Sequence, residues 1–215
     1  MSTLHQPAHP GRPAGTLVVL LPPAHAEPQD FLSAGFAHAV RERDLDVDLT
    51  FAALEFGHVT DRSVVERVLR EHLAPARARG IPVWLGGISL GGYVALCCAA
   101  QERRDMSGLC LFAPYLGSYL VTSEIERCGL AHWRGGEQDA DDEERRLWQF
   151  LKTRTPQVPR IYLGLGREDR FAERHQLLAG ALDPQDVDTV PGGHDWPTWR
   201  RLWDNFLDAR LTARR

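Results

Sequence analysis

The chain has 215 residues, of which 43% are hydrophobic and 25% charged, and its formal net charge is −4. This length and composition are typical of one folded domain and exclude an intrinsically disordered chain. The acidic balance offers no basic surface to a polyanion, so no nucleic-acid partner is expected.

The sequence also bears on the cellular compartment. Its four cysteines (Cys97, Cys98, Cys110 and Cys128) lack zinc-site spacing and are expected to be buried free thiols in a reducing compartment. No apolar run reaches the roughly 18 residues of a membrane span. The apolar run at residues 17–21 is shorter than the roughly 7–15 residues of a signal-peptide core. We therefore expect a cytoplasmic protein without a membrane partner.

The predicted elements alternate along the chain. Residues 1–15 contain three prolines and no hydrophobic period, which predicts a flexible tail. Apolar or alternating runs predict six strands, at residues 16–21, 45–51, 81–85, 108–113, 160–166 and 186–190. Helical spacing predicts helices at residues 28–43, 61–79, 91–101, 143–152, 171–180 and 196–209. The Asp residues that alternate within residues 45–51 predict a half-exposed strand near a sheet edge.

Strands that alternate with helices predict an α/β domain over residues 16–211, with a mostly parallel six-stranded sheet and helices on both faces. Residues 114–159 are less regular and leave room for a small helical, cap-like insertion. Their apolar side chains would suffice to cover a pocket. They would equally suit two helices packed on the sheet, and both interpretations stay open at this point.

One motif carries the chemistry. Residues 87–91 read Gly-Ile-Ser-Leu-Gly and fit G-x-S-x-G, directly between a predicted strand and a predicted helix. This motif places a serine on a strained turn above the sheet, and glycines are needed two positions to either side to avoid collisions. Ser89 is therefore the candidate nucleophile. The backbone N–H of Leu90, at the helix start, is a candidate oxyanion donor.

A serine nucleophile needs a general base. The segment Pro-Gly-Gly-His after the last predicted strand makes His194 the candidate, because two glycines let the loop bend over the sheet edge. The rivals His132 and His175 lie in the irregular block and inside a helical pattern, and both are expected on the surface.

The base in turn needs an orienting carboxylate. Glu168 and Asp169 both follow the strand at residues 160–166 and compete for this role. Asp195 adjoins the candidate base His194 but is poorly placed to orient its ring, and a helix-cap role suits it better.

Three segments together resemble the α/β-hydrolase superfamily: GISLGG, GREDRF and PGGHDW, each after a predicted strand. The chain is also similar to a group of small bacterial α/β hydrolases. The resemblance spans about residues 16–206 and implies a sheet order of 2-1-3-4-5-6. It further implies a triad of Ser89, Asp169 and His194, and so favours Asp169 over Glu168.

The loop after the first strand departs from this family. It reads Leu-Pro-Pro-Ala-His at residues 21–25, whereas the family usually has His-Gly there and takes its second oxyanion N–H from that loop. Because proline has no N–H, Ala24 is the best candidate donor, with His25 second. His25 and Tyr115 are candidate pocket-lining residues, although a loop histidine such as His25 or His58 is better explained as partly exposed.

The predicted function is a metal-independent serine hydrolase, a carboxylesterase for small or medium acyl esters, with no cofactor. No metal-binding or nucleotide-binding motif occurs in the sequence. A thioesterase, a peptide or amide hydrolase, and other chemistry on the same triad stay open. So does a non-catalytic scaffold of the same fold. The sequence names neither the substrate nor the oligomeric state.

Overall fold

A seven-stranded sheet organises the described part of the chain. The structure is a computed structural model, and it describes residues 1–55, 63–102, 106–135, 142–154 and 159–212. The strands are β1 (Thr3–Gln6), β2 (Thr16–Leu21), β3 (Val47–Ala52), β4 (Val83–Ile88), β5 (Gly108–Phe112), β6 (Arg160–Gly166) and β7 (Val187–Val190). Their spatial order is β1-β3-β2-β4-β5-β6-β7. All neighbours pair in parallel except β1, which is antiparallel to β3.

The six strands from β2 to β7 lie in the predicted order, but the prediction of a six-stranded sheet was one strand short. β1 lies within the predicted flexible tail, and its Leu4 faces Phe51 across the β1–β3 ladder. Asp48 fastens the rest of this segment by accepting hydrogen bonds from the N–H groups of Ala8 (2.9 Å) and Ala14 (3.1 Å). Residues 3–6 form a short and mostly polar segment, so only its pairing with β3 identifies it as a strand.

The prediction of a half-exposed β3 was also wrong. Every residue of β3 is buried. β1 and β2 pair with the two edges of the strand. One of its faces packs in the half of the core that contains the helices Pro28–Ser33 and Phe36–Glu42, and the N-terminal segment lies against Asp48 on the other face. Asp48 contributes to the alternation of polar and apolar residues that had indicated a half-exposed strand. Its carboxylate is buried but satisfied by the two backbone N–H donors, which removes the cost of burying it.

Helices cover both faces of the sheet. They are α1 (Pro28–Ser33), α2 (Phe36–Glu42), α3 (the consecutive segments Ser63–Val68, Leu69–Leu73 and Ala74–Ala78), α4 (Leu90–Gln101), α5 (Tyr119–Cys128), α6 (Glu143–Thr153), α7 (Ala172–Ala179) and α8 (Trp196–Phe206). His58 and the first two residues of the helix predicted at residues 61–79 lie outside the described residues.

The hydrophobic core has two halves, one on each face of the sheet. Helices α3 to α7 contribute to one half, which includes the fully buried Trp148. The other half joins α1, α2 and α8, where the rings of Phe36 and Trp203 stack at 5.4 Å. Each fully buried large side chain of this kind contributes roughly 1.5–3 kcal/mol. The tryptophans of α8 therefore serve mainly to pack this helix on the sheet.

The described part of residues 114–159 is mostly an ordinary layer of the fold. Trp133, Leu147 and Trp148 belong to the same core half as α4, and Trp148 donates a hydrogen bond to the carbonyl of Leu116. Only the short stretch at residues 114–116 lines the cavity described below. The segment thus supplies one wall of the cavity, while its two helices pack against the rest of the domain.

The cysteines are unpaired in this fold. Cys97, Cys98 and Cys110 are buried as expected, whereas Cys128 is exposed. Burial raises the pKa of Cys97 to about 12, so this thiol stays protonated at neutral pH. Among the helices of the described residues, none combines the length and the apolar character that a membrane crossing requires.

Candidate active site

A cavity of about 300 Å³ lies at the carboxyl ends of the parallel strands. Ligands of open α/β sheets bind at this edge. Ser89, Leu90, Ala24 and Tyr115 all line the cavity, so the structure brings four predicted residues together there. A second cavity of about 470 Å³ lies at the opposite edge, beside residues such as Leu17 and Ile81 that begin or precede strands.

Ser89 occupies the sharp turn between β4 and α4. Its backbone has φ 51° and ψ −111°, a conformation that costs a residue with a side chain about 1–3 kcal/mol. Hydrogen bonds hold the turn: the Ser89 N–H donates to Phe112 O at 3.0 Å, and Ser89 O accepts from the N–H groups of Tyr93 and Tyr115. This strained, fixed backbone presents the hydroxyl at the cavity.

The two glycines of the motif are required by close backbone approach. A Cβ at Gly91 would lie 2.2 Å from the carbonyl oxygen of Leu21, and one at Gly87 would lie 2.7 Å from the same atom. Real Cβ atoms do not come this close to backbone atoms. The G-x-S-x-G spacing is therefore the spacing at which α4 can pass directly over β2.

Asp169 and His194 form a hydrogen-bonded pair on the loops after β6 and β7. The distance from His194 Nδ1 to Asp169 Oδ2 is 2.7 Å. The Asp169 side chain is fully buried, and the His194 side chain is 10% exposed. The imidazole also stands edge-on to Phe171 at 5.2 Å and Trp199 at 5.1 Å. The ring is thus held on three sides, with one nitrogen directed at the carboxylate.

The Asp169 carboxyl is kept ionised in spite of its burial. Burial raises its pKa, but the hydrogen bonds from His194 and from the Phe171 N–H (2.8 Å) outweigh this effect and lower the pKa below its usual range. The charged carboxylate favours the His194 tautomer that carries its proton on Nδ1, which leaves Nε2 as a proton acceptor.

The competing carboxylates have other partners. Glu168 accepts a hydrogen bond from the Gly192 N–H, and its own N–H donates to Gly192 O at 3.0 Å. Glu168 thus ties together the two loops that carry Asp169 and His194. Asp195 is the N-cap of α8 and accepts a hydrogen bond from the Thr198 N–H at 3.0 Å.

His175 was wrongly expected on the surface. It lies on α7, is only 1% exposed and lines the cavity together with Ser89. Burial lowers its pKa, although the nearby Asp169 opposes this effect. Its Nδ1 has no hydrogen-bond partner among the described residues. The sequence did offer a signal for this placement. His175 lies one helical turn beyond Phe171, in the helix that follows the Asp169 loop.

The two candidate oxyanion donors line the same cavity. Leu90 is the first residue of α4, so its N–H has no acceptor within the helix. Ala24 follows the two prolines after β2, and its N–H makes no backbone hydrogen bond to another described residue. Both donors are therefore available to a developing oxyanion.

The remaining predicted residues fall outside the cavity or at its mouth. His25 is exposed, has a positive φ of 64° and is absent from the cavity lining. Its candidate pocket-lining role was therefore wrong, and its interpretation as an exposed loop histidine is confirmed. Tyr115 does line the cavity and is 43% exposed. His132 is exposed, as expected.

Within the described residues, no hydrogen bond joins the Ser89 hydroxyl to His194. Catalytic hydrogen bonds are often long in the free enzyme and tighten when substrate binds. The described residues therefore include the hydrogen bond between His194 and Asp169, but no hydrogen bond between Ser89 and His194.

The sequence matches a family model described as "Putative esterase" over residues 71–206, which is more than half of the chain. It is also 23% identical over 172 residues to an acetyl esterase of Caldicellulosiruptor saccharolyticus. That match covers 71% of this chain and 62% of the relative, so the chain spans less than two thirds of the relative's length.

Solved structures share the fold at low sequence identity. Est1E from Butyrivibrio proteoclasticus has a TM-score of 0.61 at 15% identity, with 98% of this chain and 94% of that chain covered. A fluorophosphonate-binding serine hydrolase, FphF from Staphylococcus aureus, has a TM-score of 0.62 at 11% identity, covering 92% and 84%. The chain has the α/β-hydrolase fold and belongs to the esterase family whose model it matches.

Proposed function

We propose that this chain is a metal-independent serine hydrolase that cleaves carboxylic esters through a triad of Ser89, His194 and Asp169. The observation that carries the proposal is the His194–Asp169 hydrogen bond of 2.7 Å, at the same sheet edge as the strained Ser89. Membership of the esterase family and similarity to an acetyl esterase support it.

The reaction follows from the roles of the three side chains. Ser89 Oγ attacks the acyl carbonyl while His194 Nε2 accepts its proton, and the alcohol then leaves with that proton. Asp169 stabilises the transient imidazolium. Water attacks the acyl-enzyme by the same route, which releases the acid and restores Ser89.

The oxyanion of each tetrahedral intermediate is bound by the N–H groups of Leu90 and Ala24. The cavity of about 300 Å³ has the volume of a small ligand site. We therefore propose small or medium acyl esters as substrates. The same machinery suits thioesters, so the substrate panel must contain both.

Labelling with a fluorophosphonate probe followed by peptide mapping tests the proposal. We expect label on Ser89 in the wild type, and none in Ser89→Ala or His194→Ala. His132→Ala, which removes an exposed histidine, is the matched control and should label like the wild type. If well-folded wild-type protein takes no label and cleaves no ester or thioester, the chain is a scaffold without this activity.

A further inference from the structure

The mouth of the cavity is cationic and aromatic. Arg170, in the loop after Asp169, and Arg174, on α7, both line it. No carboxylate side chain lines this cavity among the described residues. The local charge is therefore opposite in sign to the net charge of −4 that the whole chain carries.

Neither arginine has an ion-pair partner among the described residues. Arg145, on the neighbouring helix α6, differs because Glu124 pairs with it at 2.7 Å. Glu144, whose charge reaches Tyr115 at the cavity wall, is already bound by the N–H and the hydroxyl of Ser118. Both guanidinium groups are thus without an ion-pair partner among the described residues and are able to bind an anion.

Both guanidinium groups rest on aromatic rings. Arg170 Cζ lies 4.8 Å from the ring centroid of Phe171, and Arg174 Cζ lies 5.2 Å from that of Tyr119. Stacking of this kind restrains the side chain but leaves the N–H groups at the edge of the guanidinium free to donate. The large exposed hydrophobic side chains of the described residues are Tyr115, Tyr119, Leu120 and Phe171. Two of them, Tyr115 and Phe171, line the cavity, and Tyr119 lies against Arg174.

We propose that the preferred substrates are esters that carry a carboxylate, which Arg170 and Arg174 bind at the mouth while the ester group lies at Ser89. This inference rests on the proposed function and names the substrate class of the same site. Guanidinium groups pair with carboxylates through charge-assisted, two-point hydrogen bonds. The aromatic rim accommodates the apolar body of such a substrate.

Matched ester pairs that differ only in charge test the inference. One pair carries the charge on the alcohol side: 3-acetoxybenzoate and 3-acetoxybenzamide. The other carries it on the acyl side: the 4-nitrophenyl monoesters of terephthalate and of its monoamide. We expect kcat/KM of the wild type to favour the anionic member of at least one pair about tenfold. Added salt should weaken this preference.

The double variant Arg170→Gln with Arg174→Gln should reduce that preference to about one. The readout is the ratio of kcat/KM within each pair, because a general effect of the substitutions on the cavity changes both members alike. Arg167→Gln is the matched control, since Arg167 is exposed in the same loop but does not line the cavity. A preference that survives in the double variant, or that the wild type lacks for both pairs, overturns the inference.

Binding without turnover separates this inference from the proposed function. Calorimetry with Ser89→Ala protein should show tighter binding of benzoate than of benzamide, and the double arginine substitution should remove the difference. Equal binding of the two ligands in Ser89→Ala protein contradicts the arginine site. Absence of a fluorophosphonate label on Ser89 contradicts the hydrolase, whatever the binding result.

Discussion

The His194 ring bonds to the carboxylate of Asp169 across 25 positions of sequence, at an Nδ1–Oδ2 distance of 2.7 Å. The two residues meet because β6 and β7 are parallel neighbours, so the loops at their carboxyl ends leave the sheet side by side. Glu168 holds the two loops together, because its carboxylate accepts a hydrogen bond from the Gly192 N–H of the opposite loop. The pair is therefore a product of the sheet topology.

Asp169→Asn is expected to reduce kcat by about 10⁴-fold without unfolding the protein, since the amide would favour the wrong tautomer of His194. Steady-state hydrolysis of a 4-nitrophenyl ester measures this. The control is Asp195→Asn, because asparagine is an equally good N-cap and the side chain does not contact the imidazole. An Asp169→Asn enzyme that retains wild-type kcat would remove Asp169 from the mechanism.

Gly91→Ala is expected to destabilise the fold by about 1–3 kcal/mol or more, because the new Cβ would lie 2.2 Å from Leu21 O. Thermal or urea unfolding reports the loss. Gly180→Ala is the comparison, since Gly180 has φ −66° and the nearest atom to its Cβ would be 3.3 Å away. Equal stabilities of the two variants would contradict the close passage of α4 over β2.

Glu124 connects α5 and α6 through a two-point ion pair with Arg145 and a hydrogen bond from Trp133. These contacts lower the pKa of Glu124 to about 2, from an ordinary value of 4.5. A carboxyl with a lowered pKa stabilises the folded state fully above the unfolded pKa. That stabilisation is lost as the pH falls from about 4.5 towards 2.

Glu124→Gln should therefore cost about 1 kcal/mol at pH 7, and the difference from wild type should shrink below pH 4.5. Urea unfolding across this pH range measures both effects. Glu126→Gln removes the same charge from an exposed position on α5 and serves as the control. A cost for Glu124→Gln that does not change with pH would contradict the ionic origin of the contact.

His175 makes the folded state sensitive to mild acid. Burial lowers its pKa below 6.5, and the charge of His194 adds to this effect while Asp169 opposes it. The unfolded chain therefore takes up a proton at this residue before the folded chain does. The folded state loses stability as the pH falls through about 6.5, by at most about 1.4 kcal/mol per pH unit.

His175→Phe should flatten this dependence, because phenylalanine keeps an aromatic ring in the cavity wall but does not titrate. The measurement is the free energy of unfolding of both proteins between pH 8 and pH 5. The absolute stabilities can differ because of packing, so the slope with pH is the test. Parallel curves would show that the folded state protonates His175 as easily as the unfolded chain does.

Local patterns in the sequence determined the alternation of strands and helices and the turn at Ser89, whereas the order of β2 to β7 was implied by the resemblance to the α/β-hydrolase superfamily. The alternation and the turn depend on residues that are close in the chain: the periods of apolar side chains and glycines at fixed offsets. Ser89 and Leu90 could be located because they directly follow a strand, and Ala24 because it is the first residue with an N–H after β2. Parallel strands bring such positions to one edge of the sheet.

The tertiary structure decided how distant residues meet, although the resemblance to a known superfamily had already favoured Asp169 as the partner of His194. Residues 3–6 became a strand because β3 offered an unpaired edge, and Asp169 rather than Glu168 reached the His194 ring through the course of two loops. His175 was buried by packing of α7 over the cavity, whereas His25, in the loop after β2, was left exposed. Such outcomes depend on contacts between segments far apart in sequence, which no local period encodes.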